Sequence, residues 1–465
     1  MYEDGLSSRE NSTLHLIKRF DLMLEKNQFE YFESYEIEKI IDFFCENNNK
    51  SKVKDAFVLY DKIFPFSIEL KLKKVQVLIY FDKIKEAYKV IQEIPPSESE
   101  DYLFTLSAVY SKLEMHQEAI DVLEKLMCYN DKNEDVISSL ASEYQQIENH
   151  SKSNDMLEKL LLLNFRNELY WYTYIISTEI EGNQNRSVDF IKKYISNNPY
   201  DHEAWFYLGI TYQRTEDFLN AIEAFDYALC IKDDFYKAYT NKADAYAELG
   251  YYENAIQCCK QTFSFKKPDA YIFYDIGNFY EKLDDLEKAK VYFYKSLKKD
   301  DNFDESWYAL ALILDLQGYT LEASYHVKKA IDISPNNIDF LFTYAKIHEK
   351  AGFIKEAEQA YRKVIEIDEF DSESWLNYSH LISQYESNFE AIELLKKAIK
   401  LNPKNAEIVY RLSAYLFKSG SDELALQFFK EALVLNYEKH EEFFQYLPHI
   451  KTNEIILNLL AKHKK

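Results

Sequence analysis

The sequence predicts an all-α fold arranged as an α-solenoid, and three observations carry this prediction. The chain of 465 residues contains only 8 Gly and 8 Pro, whereas an average soluble protein has about 7% Gly. Tight β-turns and phosphate-binding loops depend on Gly, so a β-sandwich, a dinucleotide-binding core or a P-loop is not expected. The apolar fraction of 47% is too high for a disordered chain. The third observation is an internal repeat with a fixed period.

The four Trp residues reveal this period. The intervals between Trp171, Trp205, Trp307 and Trp375 are 34, 102 and 68, all multiples of 34. A fixed period between about 20 and 50 residues indicates a solenoid or a similar array. With Trp at position 4 of the unit, ten units begin at residues 100, 134, 168, 202, 236, 270, 304, 338, 372 and 406.

Each unit is predicted to form two amphipathic helices that pack as a hairpin. Positions 4, 7, 8 and 11 form one apolar stripe, and positions 20, 24 and 27 form the other. Position 20 is small in all ten units and position 8 in nine, which allows close helix packing. Five Gly near position 15 indicate the turn, and three Pro at position 32 end the second helix. They are Gly182, Gly250, Gly318, Gly352 and Gly420, and Pro199, Pro335 and Pro403.

These residues resemble the tetratricopeptide repeat, most clearly in the unit that begins at residue 202. That unit carries Trp205, Leu208, Gly209, Tyr212, Ala221, Phe225 and Ala228 at the positions typical of the family. The resemblance covers residues 100–439 without insertion or deletion. It implies a right-handed superhelix in which the first helix of each repeat lines a concave groove.

Four segments are expected along the chain. Residues 1–36 are a tail and a helix, and residues 37–99 hold two degenerate repeats, placed by taking Ala56 and Ala87 as position 20. Residues 100–439 form ten consecutive repeats, and residues 440–465 form capping helices that cover the last open face. The total is twelve repeats with caps.

The net charge and the cysteine content indicate the cellular compartment and the class of binding partner. The formal net charge of −23 argues against nucleic acid, because affinity for phosphates depends on clustered Lys and Arg. The alternative that this charge serves only solubility stays open. Five Cys without a CxxC pair fit a reducing compartment, and no signal peptide or membrane span is visible. We therefore expect a cytoplasmic protein that does not bind membranes.

Catalytic motifs are absent from the sequence. No phosphate-binding Gly motif, nucleophile elbow or HExxH is present. The adjacent Cys258 and Cys259 fall on a predicted second helix, where packing is the simpler interpretation than a redox or metal pair. We predict no enzyme activity, no cofactor and no metal.

The predicted groove is the informative surface. Position 5 of the first helix is aromatic in seven of ten units, and position 2 is acidic in seven. This pattern suits a protein or peptide partner with apolar and basic side chains. Inherited packing of the aromatic residues, and acidic residues that stabilise the helix dipole, are the open alternatives. The candidate binding residues are Tyr172, Phe206, Asn241, Tyr274, Asn278, Tyr308, Phe342, Asn377 and Tyr410.

Three functions are consistent with this pattern. The favoured one is a non-enzymatic scaffold that binds a protein or peptide in the groove. The alternatives are a structural subunit of a larger assembly and a peptide-sensing regulator of another enzyme. Chaperone-binding members of the family hold a terminal carboxylate with a clamp that includes Lys at position 5, and no unit here has that Lys. The sequence leaves the partner's identity and the oligomeric state open.

Overall fold

A computed structural model describes residues 3–26 and 28–464, with side chains from residue 13 onward. Residues 1, 2 and 27 of the predicted N-terminal segment and residue 465 of the C-terminal one lie outside the described residues. Within the described part the chain forms 27 α-helices and three short 3-10 helices, without a β-strand. The predicted all-α repeat fold is therefore confirmed. Internal contacts divide the chain into two compact units, Met1–Ile231 (unit 1) and Lys232–Lys465 (unit 2).

Unit 1 contains thirteen helices in the described residues, and all but the first are paired as hairpins. They are α1 (Glu3–Lys26), α2 (Ser34–Glu46), α3 (Lys50–Ile63), α4 (Ile68–Tyr80), α5 (Ile84–Gln92), α6 (Glu100–Lys112), α7 (His116–Tyr129), α8 (Glu134–Gln146), α9 (His150–Leu163), α10 (Glu168–Ile180), α11 (Gln184–Asn197), α12 (His202–Arg214) and α13 (Phe218–Ile231).

Unit 2 continues with six hairpins and two further helices. They are α14 (Tyr236–Glu248), α15 (Tyr252–Gln261), α16 (Ala270–Lys282), α17 (Leu286–Lys299), α18 (Asp304–Leu316), α19 (Thr320–Ile333), α20 (Ile338–Ala351), α21 (Ile354–Ile367), α22 (Ser372–Tyr385), α23 (Asn388–Leu401), α24 (Ala406–Lys418), α25 (Asp422–Leu435), α26 (His440–Tyr446) and α27 (Glu454–His463). The 3-10 helices are Thr262–Ser264, Tyr437–Lys439 and Pro448–Thr452.

The helix boundaries follow the period of the tryptophans. All ten first helices from α6 to α24 begin at position 1 of the predicted unit, and all ten second helices begin at position 17. In seven units an Asn or Asp just before the first helix accepts hydrogen bonds from its first free backbone N–H groups, which fixes the start. These residues are Asn133, Asn167, Asp201, Asp269, Asn337, Asp371 and Asn405.

The repeat upstream of Ile68 has a different register from the predicted one. Helix α2 begins at Ser34, earlier than the expected start at residue 37. The start is set by a capping box, in which Glu33 accepts a backbone hydrogen bond and its own N–H donates to Glu36 at 3.0 Å. When Ser34 is counted as position 1, Ala56 is at position 23 and not at position 20. The division of the chain into four segments stays a prediction.

The small residues at positions 8 and 20 lie in the core, as their periodicity suggests. All ten residues at position 20, from Ala119 to Ala425, are buried. At position 8, a β-carbon added to Gly209 would lie 2.4 Å from Cε1 of Phe225, and one added to Gly277 would lie 2.6 Å from Phe293. In these two units the aromatic ring at position 24 therefore occupies the space that a side chain at position 8 would need.

The turn between paired helices adopts one geometry with several residue types. A residue with left-handed backbone conformation occupies position 15 in eleven of the twelve hairpins that the described chain contains. The backbone N–H of the next residue donates a hydrogen bond to the carbonyl five residues earlier, for example from Tyr251 to Tyr246 at 2.9 Å. Gly fills five of these positions. The others are Asn48, Asp82, Glu114, Glu148, Glu216 and Asp284.

All four Trp residues serve the same structural role. Each indole N–H donates a hydrogen bond to the backbone carbonyl six residues earlier, in the loop that joins the repeat to the preceding one. The acceptors are Phe165 for Trp171 (2.6 Å), Pro199 for Trp205 (2.9 Å), Asp301 for Trp307 (2.9 Å) and Glu369 for Trp375 (2.9 Å). Position 4 thus fixes the loop between repeats as well as filling the core.

The C-terminal helices end unit 2 by continuing its period. Helix α26 begins at His440, one full period after the start of α24, and its Phe443 is fully buried against Phe417 and Phe429. It therefore packs on α24 as a shortened first helix, and Pro448 follows directly after it.

Candidate functional site

The first helices of successive repeats lie side by side in each unit and form one surface, called here the first-helix surface. Side chains link neighbouring helices across it. In unit 1 Arg214 pairs with Glu179 at 2.6 Å. In unit 2 Lys350 pairs with Asp315 at 2.9 Å, and the hydroxyls of Tyr308 and Thr343 lie 3.1 Å apart. Positions 5, 6, 12 and 13 therefore face this surface.

Two of the predicted binding residues belong to the core instead. Phe206 is 2% exposed and packs on Phe225. Tyr410 is 1% exposed, and its hydroxyl donates to the carbonyl of Asn436 at 3.0 Å. Neither ring is available to a ligand in this structure, because Phe206 packs within its own helix pair and Tyr410 is covered by the segment from Asn436 onward.

Three further predicted aromatic residues are half-buried in unit 2. Tyr274 packs on Phe293 and Phe303, Tyr308 packs on Phe340, and Phe342 packs on Tyr361. Only part of each ring reaches the surface. These contacts favour the packing interpretation of position 5 over a continuous aromatic track. Asn241, Asn278 and Asn377 are also partly exposed.

Tyr172 in unit 1 is exposed, and it belongs to an apolar stripe on α10. Positions 2, 5, 9 and 13 of this helix are Leu169, Tyr172, Ile176 and Ile180, with exposed fractions of 70%, 42%, 47% and 63%. The core side of α10 is also apolar, with Trp171 and Tyr174 fully buried. A helix that is apolar on every side is normally buried, so an exposed apolar stripe here indicates a binding surface.

The sequence reasoning identified Tyr172 but missed Ile176 and Ile180. The signal was available in the apolar residues that recur on the side of α10 opposite Trp171. In unit 2, helix α18 carries a shorter stripe, also missed, with Leu312 and Leu316 exposed next to half-buried Tyr308.

Carboxylates surround the N-terminal end of the α10 stripe. Burial, together with Glu134 and Asp135 of α8, raises the pKa of Tyr170. Burial, together with Glu168 and Glu203, raises the pKa of Tyr207. Arg166 offsets part of this charge through its ion pair with Glu203 at 3.4 Å. The stripe therefore has a negative edge at the start of the first helices.

Unit 2 carries a different electrostatic feature on its first-helix surface. Burial raises the pKa of Asp275 to about 7, with further contributions from Asp244 and Asp269. Asp244 is itself exposed to water whereas Asp275 is half-buried, so the cost of ionisation falls mainly on Asp275.

Among the described residues, no group of three or more His, Cys, Asp or Glu side chains could hold a metal ion. In the same part of the chain, no helix has the length and apolarity needed to cross a membrane. Cys258 and Cys259 are both buried, and burial raises the pKa of Cys259.

The chain has the architecture of a helical-repeat protein. Its helical hairpins recur at a fixed period, small residues lie at the contact between the paired helices, and the first helices form a surface on one side. The chain contains tetratricopeptide repeats. Residues 236–266, 270–302 and 338–371 match one family model of the tetratricopeptide repeat, and residues 390–437 match a second. Because repeats of this kind present surfaces for protein binding, the chain belongs to the class of interaction scaffolds.

Several solved structures have a similar fold. The C-terminal part of a TPR repeat-containing protein from Cytophaga hutchinsonii is 16% identical, covers 55% of this chain and 99% of its own, and has a TM-score of 0.44. The APC/C hetero-tetramer Cut9-Hcn1 is 12% identical over 89% of this chain and 95% of its own (TM-score 0.38). YrrB, a TPR protein with an unusual peptide-binding site, is 18% identical over 40% and 95% (TM-score 0.33). No curated protein matches this sequence.

Proposed function

We propose that this chain is a non-enzymatic scaffold that binds a segment of a partner protein on the first-helix surface of unit 1. The observation that carries the proposal is the exposed stripe of Leu169, Tyr172, Ile176 and Ile180 on α10. Four large apolar side chains in line are an unfavourable exposure for a protein that has no partner for them.

The stripe also indicates the chemistry of the partner. Its apolar residues would receive the apolar face of a helix or of an extended segment. The carboxylates at its N-terminal end would attract Lys or Arg side chains at one edge of that segment. We therefore propose a partner with basic and apolar side chains, which agrees with the expectation from sequence.

Helix α8, next to α10, presents small side chains on the first-helix surface. Its first-helix surface is lined by Ser138, Ser139 and Ser142, and a cleft of about 290 Å³ separates these serines from Phe104 of α6. The small hydroxyl side chains of α8 would leave room for a bound segment that continues from the stripe toward α6, and they can bond its backbone. Burying the stripe contributes on the order of 1 kcal/mol for each half-exposed side chain. The partner's own apolar side chains and its ion pairs add to this term and the ordering of the segment subtracts from it, and we expect an affinity of about 1 μM.

A tagged pull-down from the native cell with mass spectrometry tests the proposal. The test variant is Leu169→Ser with Ile180→Ser, which shortens the stripe at both ends. The matched control is Leu162→Ser with Leu219→Ser, two residues of unit 1 that are as exposed but lie on the second helices α9 and α13. We expect the true partner to fall about tenfold in recovery with the test variant only.

Equal recovery of every partner by the wild type and the test variant would contradict the proposal. Loss with both variants would show that general surface apolarity is responsible rather than the stripe. Far-ultraviolet circular dichroism of both variants shows whether the fold is intact. The other functions consistent with the sequence, a structural subunit and a regulator of another enzyme, stay predictions, as do the cytoplasmic location and the exclusion of nucleic acid.

A further inference from the structure

Unit 1 contains a second apolar cleft, distinct from its first-helix surface. The cleft has a volume of about 690 Å³ and lies between α3 on one side and α4 with the start of α5 on the other. Its floor is apolar and largely buried, and its rim carries lysines. The floor is formed by Val53, Phe57, Val77, Leu78 and Phe81, and the rim by Lys50, Lys54, Lys74 and Lys83.

The charge of this region is opposite to that of the whole chain. Residues 50–86 contain nine Lys against five Asp and Glu, whereas the chain has a net charge of −23. On the rim, Lys74 pairs with Asp61 at 3.7 Å and Lys83 with Glu86 at 3.2 Å. In the described part of the chain Lys50 and Lys54 have no carboxylate within ion-pair distance. The rim therefore has two lysines without an ion pair, of which Lys50 lies over the ring of Phe81, with Nζ 5.1 Å from the ring centroid.

A cleft in unit 2 shows that the packing of the repeats does not by itself produce a lysine rim. This smaller cleft, between α21 and the α22–α23 hairpin, shares positions 7, 11, 19, 21 and 25 of the repeat with the cleft of unit 1, and its basic residues are Arg362 and Lys397. Position 21 is Lys54 in the first cleft and Glu358 in the second, and the second also contains Glu386, Glu390 and Glu393. One geometry is thus combined with opposite charges.

We propose that the lysine-rimmed cleft binds an acidic amphipathic helical segment of a partner protein. The floor residues Val53, Phe57 and Val77 lie beneath the rim and are at most 7% exposed. Leu78 and Phe81 are partly exposed between the rim lysines, where an inserted chain would reach them and a flat lipid surface would not. From Lys50 to Asp61 the cleft follows α3 for about 17 Å, the length of three helical turns. Glu or Asp side chains of the segment would pair with Lys50 and Lys54, and its apolar side chains would contact Leu78 and Phe81.

A peptide-display library panned against the full chain tests this proposal. We expect the enriched peptides to combine Asp or Glu with apolar residues at helical spacing, and to bind the wild type at least about tenfold more tightly than Lys50→Glu with Lys54→Glu. Raising the salt from about 0.05 to 0.5 M should weaken their binding. The matched control is Lys132→Glu with Lys193→Glu, which changes the charge equally at exposed sites of unit 1 and should bind as the wild type does.

Three results would overturn the proposal. The first is a panning that enriches no acidic peptides, or acidic peptides that bind the wild type and the Lys50/Lys54 variant equally; peptides without acidic residues that the α10 stripe captures do not count. The second is dimerisation of the wild type in light scattering that the same variant abolishes, since the occupant would then be a second copy. The third is lysine-dependent sedimentation with phosphatidylserine vesicles, which would identify a membrane. Each result is independent of the α10 stripe, which none of these variants alters.

Discussion

Helices α10 of unit 1 and α18 of unit 2 have the same place in the repeat and differ in what they expose. Both begin at position 1, both carry Trp at position 4, and both bury the same side. On the first-helix surface, α10 exposes an apolar residue at each of positions 2, 5, 9 and 13. Helix α18 exposes apolar residues only at positions 9 and 13, because its position 2 is Glu305 and its position 5 is the half-buried Tyr308. The interior positions of the repeat are therefore similar in the two helices, whereas the first-helix surface varies. Positions 2, 5, 9 and 13 are the ones expected to determine binding specificity.

The constant interior predicts that one substitution has the same severe effect in either unit. Ala221→Glu in unit 1 and Ala289→Glu in unit 2 each place a carboxylate at a fully buried position 20. We expect each to lower the free energy of unfolding by about 3 kcal/mol or more, because an unpaired charge is buried. Thermal melting followed by circular dichroism measures the loss. Lys288→Glu, next to Ala289 but exposed, is the control; a mild effect at either alanine would show that the register is wrong there.

The close helix contact at position 8 predicts an intermediate effect. Gly209→Ala would gain about 1 kcal/mol from helix propensity, but its β-carbon would clash with the buried ring of Phe225. Overpacking costs typically about 1–3 kcal/mol, so we expect a net loss near 1 kcal/mol in chemical denaturation, and a similar loss for Gly277→Ala. Adding Phe225→Leu to Gly209→Ala should remove part of the clash. Additive losses in the double variant would contradict this contact.

The carboxylate pair on the first-helix surface of unit 2 predicts a smaller, pH-dependent effect. The pKa of Asp275 is about 7 in the folded chain and near 3.9 when unfolded. Its contribution to stability is therefore fully present below the unfolded pKa and is lost as the pH rises through 7. Asp275→Asn should stabilise the protein by about 1 kcal/mol at pH 8, discounted for partial exposure, and much less at pH 4.

Melting temperatures at the two pH values measure this difference. Asp301→Asn, at an exposed carboxyl of the same unit, is the control and should show no such dependence. A stabilisation by Asp275→Asn that is equal at both pH values would exclude burial of the charge as its cause. No counterpart of this pair is expected on the α10 surface, where the carboxylates lie at the edge.

The exposed stripe of α10 predicts the smallest effect on stability. Leu169→Ser with Ile180→Ser should change the free energy of unfolding by less than about 0.5 kcal/mol, because both side chains already contact water. Tyr308→Ala with Phe342→Ala in unit 2 should cost about 2 kcal/mol or more, since both rings pack on neighbouring aromatic residues. Denaturant titrations compare the two double variants. A large loss for the Leu169 and Ile180 variant would place the stripe in the core.

The sequence predicted the interior of the repeat much better than its surface. Trp at position 4, small residues at position 20 and the turn near position 15 repeat for local steric reasons, so the period alone places helix starts from residue 100 to 406. The register failed at Ala56, because the capping box of Glu33 and Glu36 determines where α2 begins. Position 5 could not be predicted from the period, since Tyr410 is covered by residues from Asn436 onward. Whether a ring faces outward depends on such distant neighbours.

The hydrogen bonds of the four Trp residues have a consequence for spectroscopy. Trp171 and Trp205 belong to unit 1 and Trp307 and Trp375 to unit 2, and each bonds a loop between repeats. The chain thus carries a balanced pair of intrinsic fluorophores in each unit, all in one type of hydrogen-bonded environment. Replacing one pair with Phe would make the emission of the remaining indoles a reporter of loop opening in a single unit, without any attached dye.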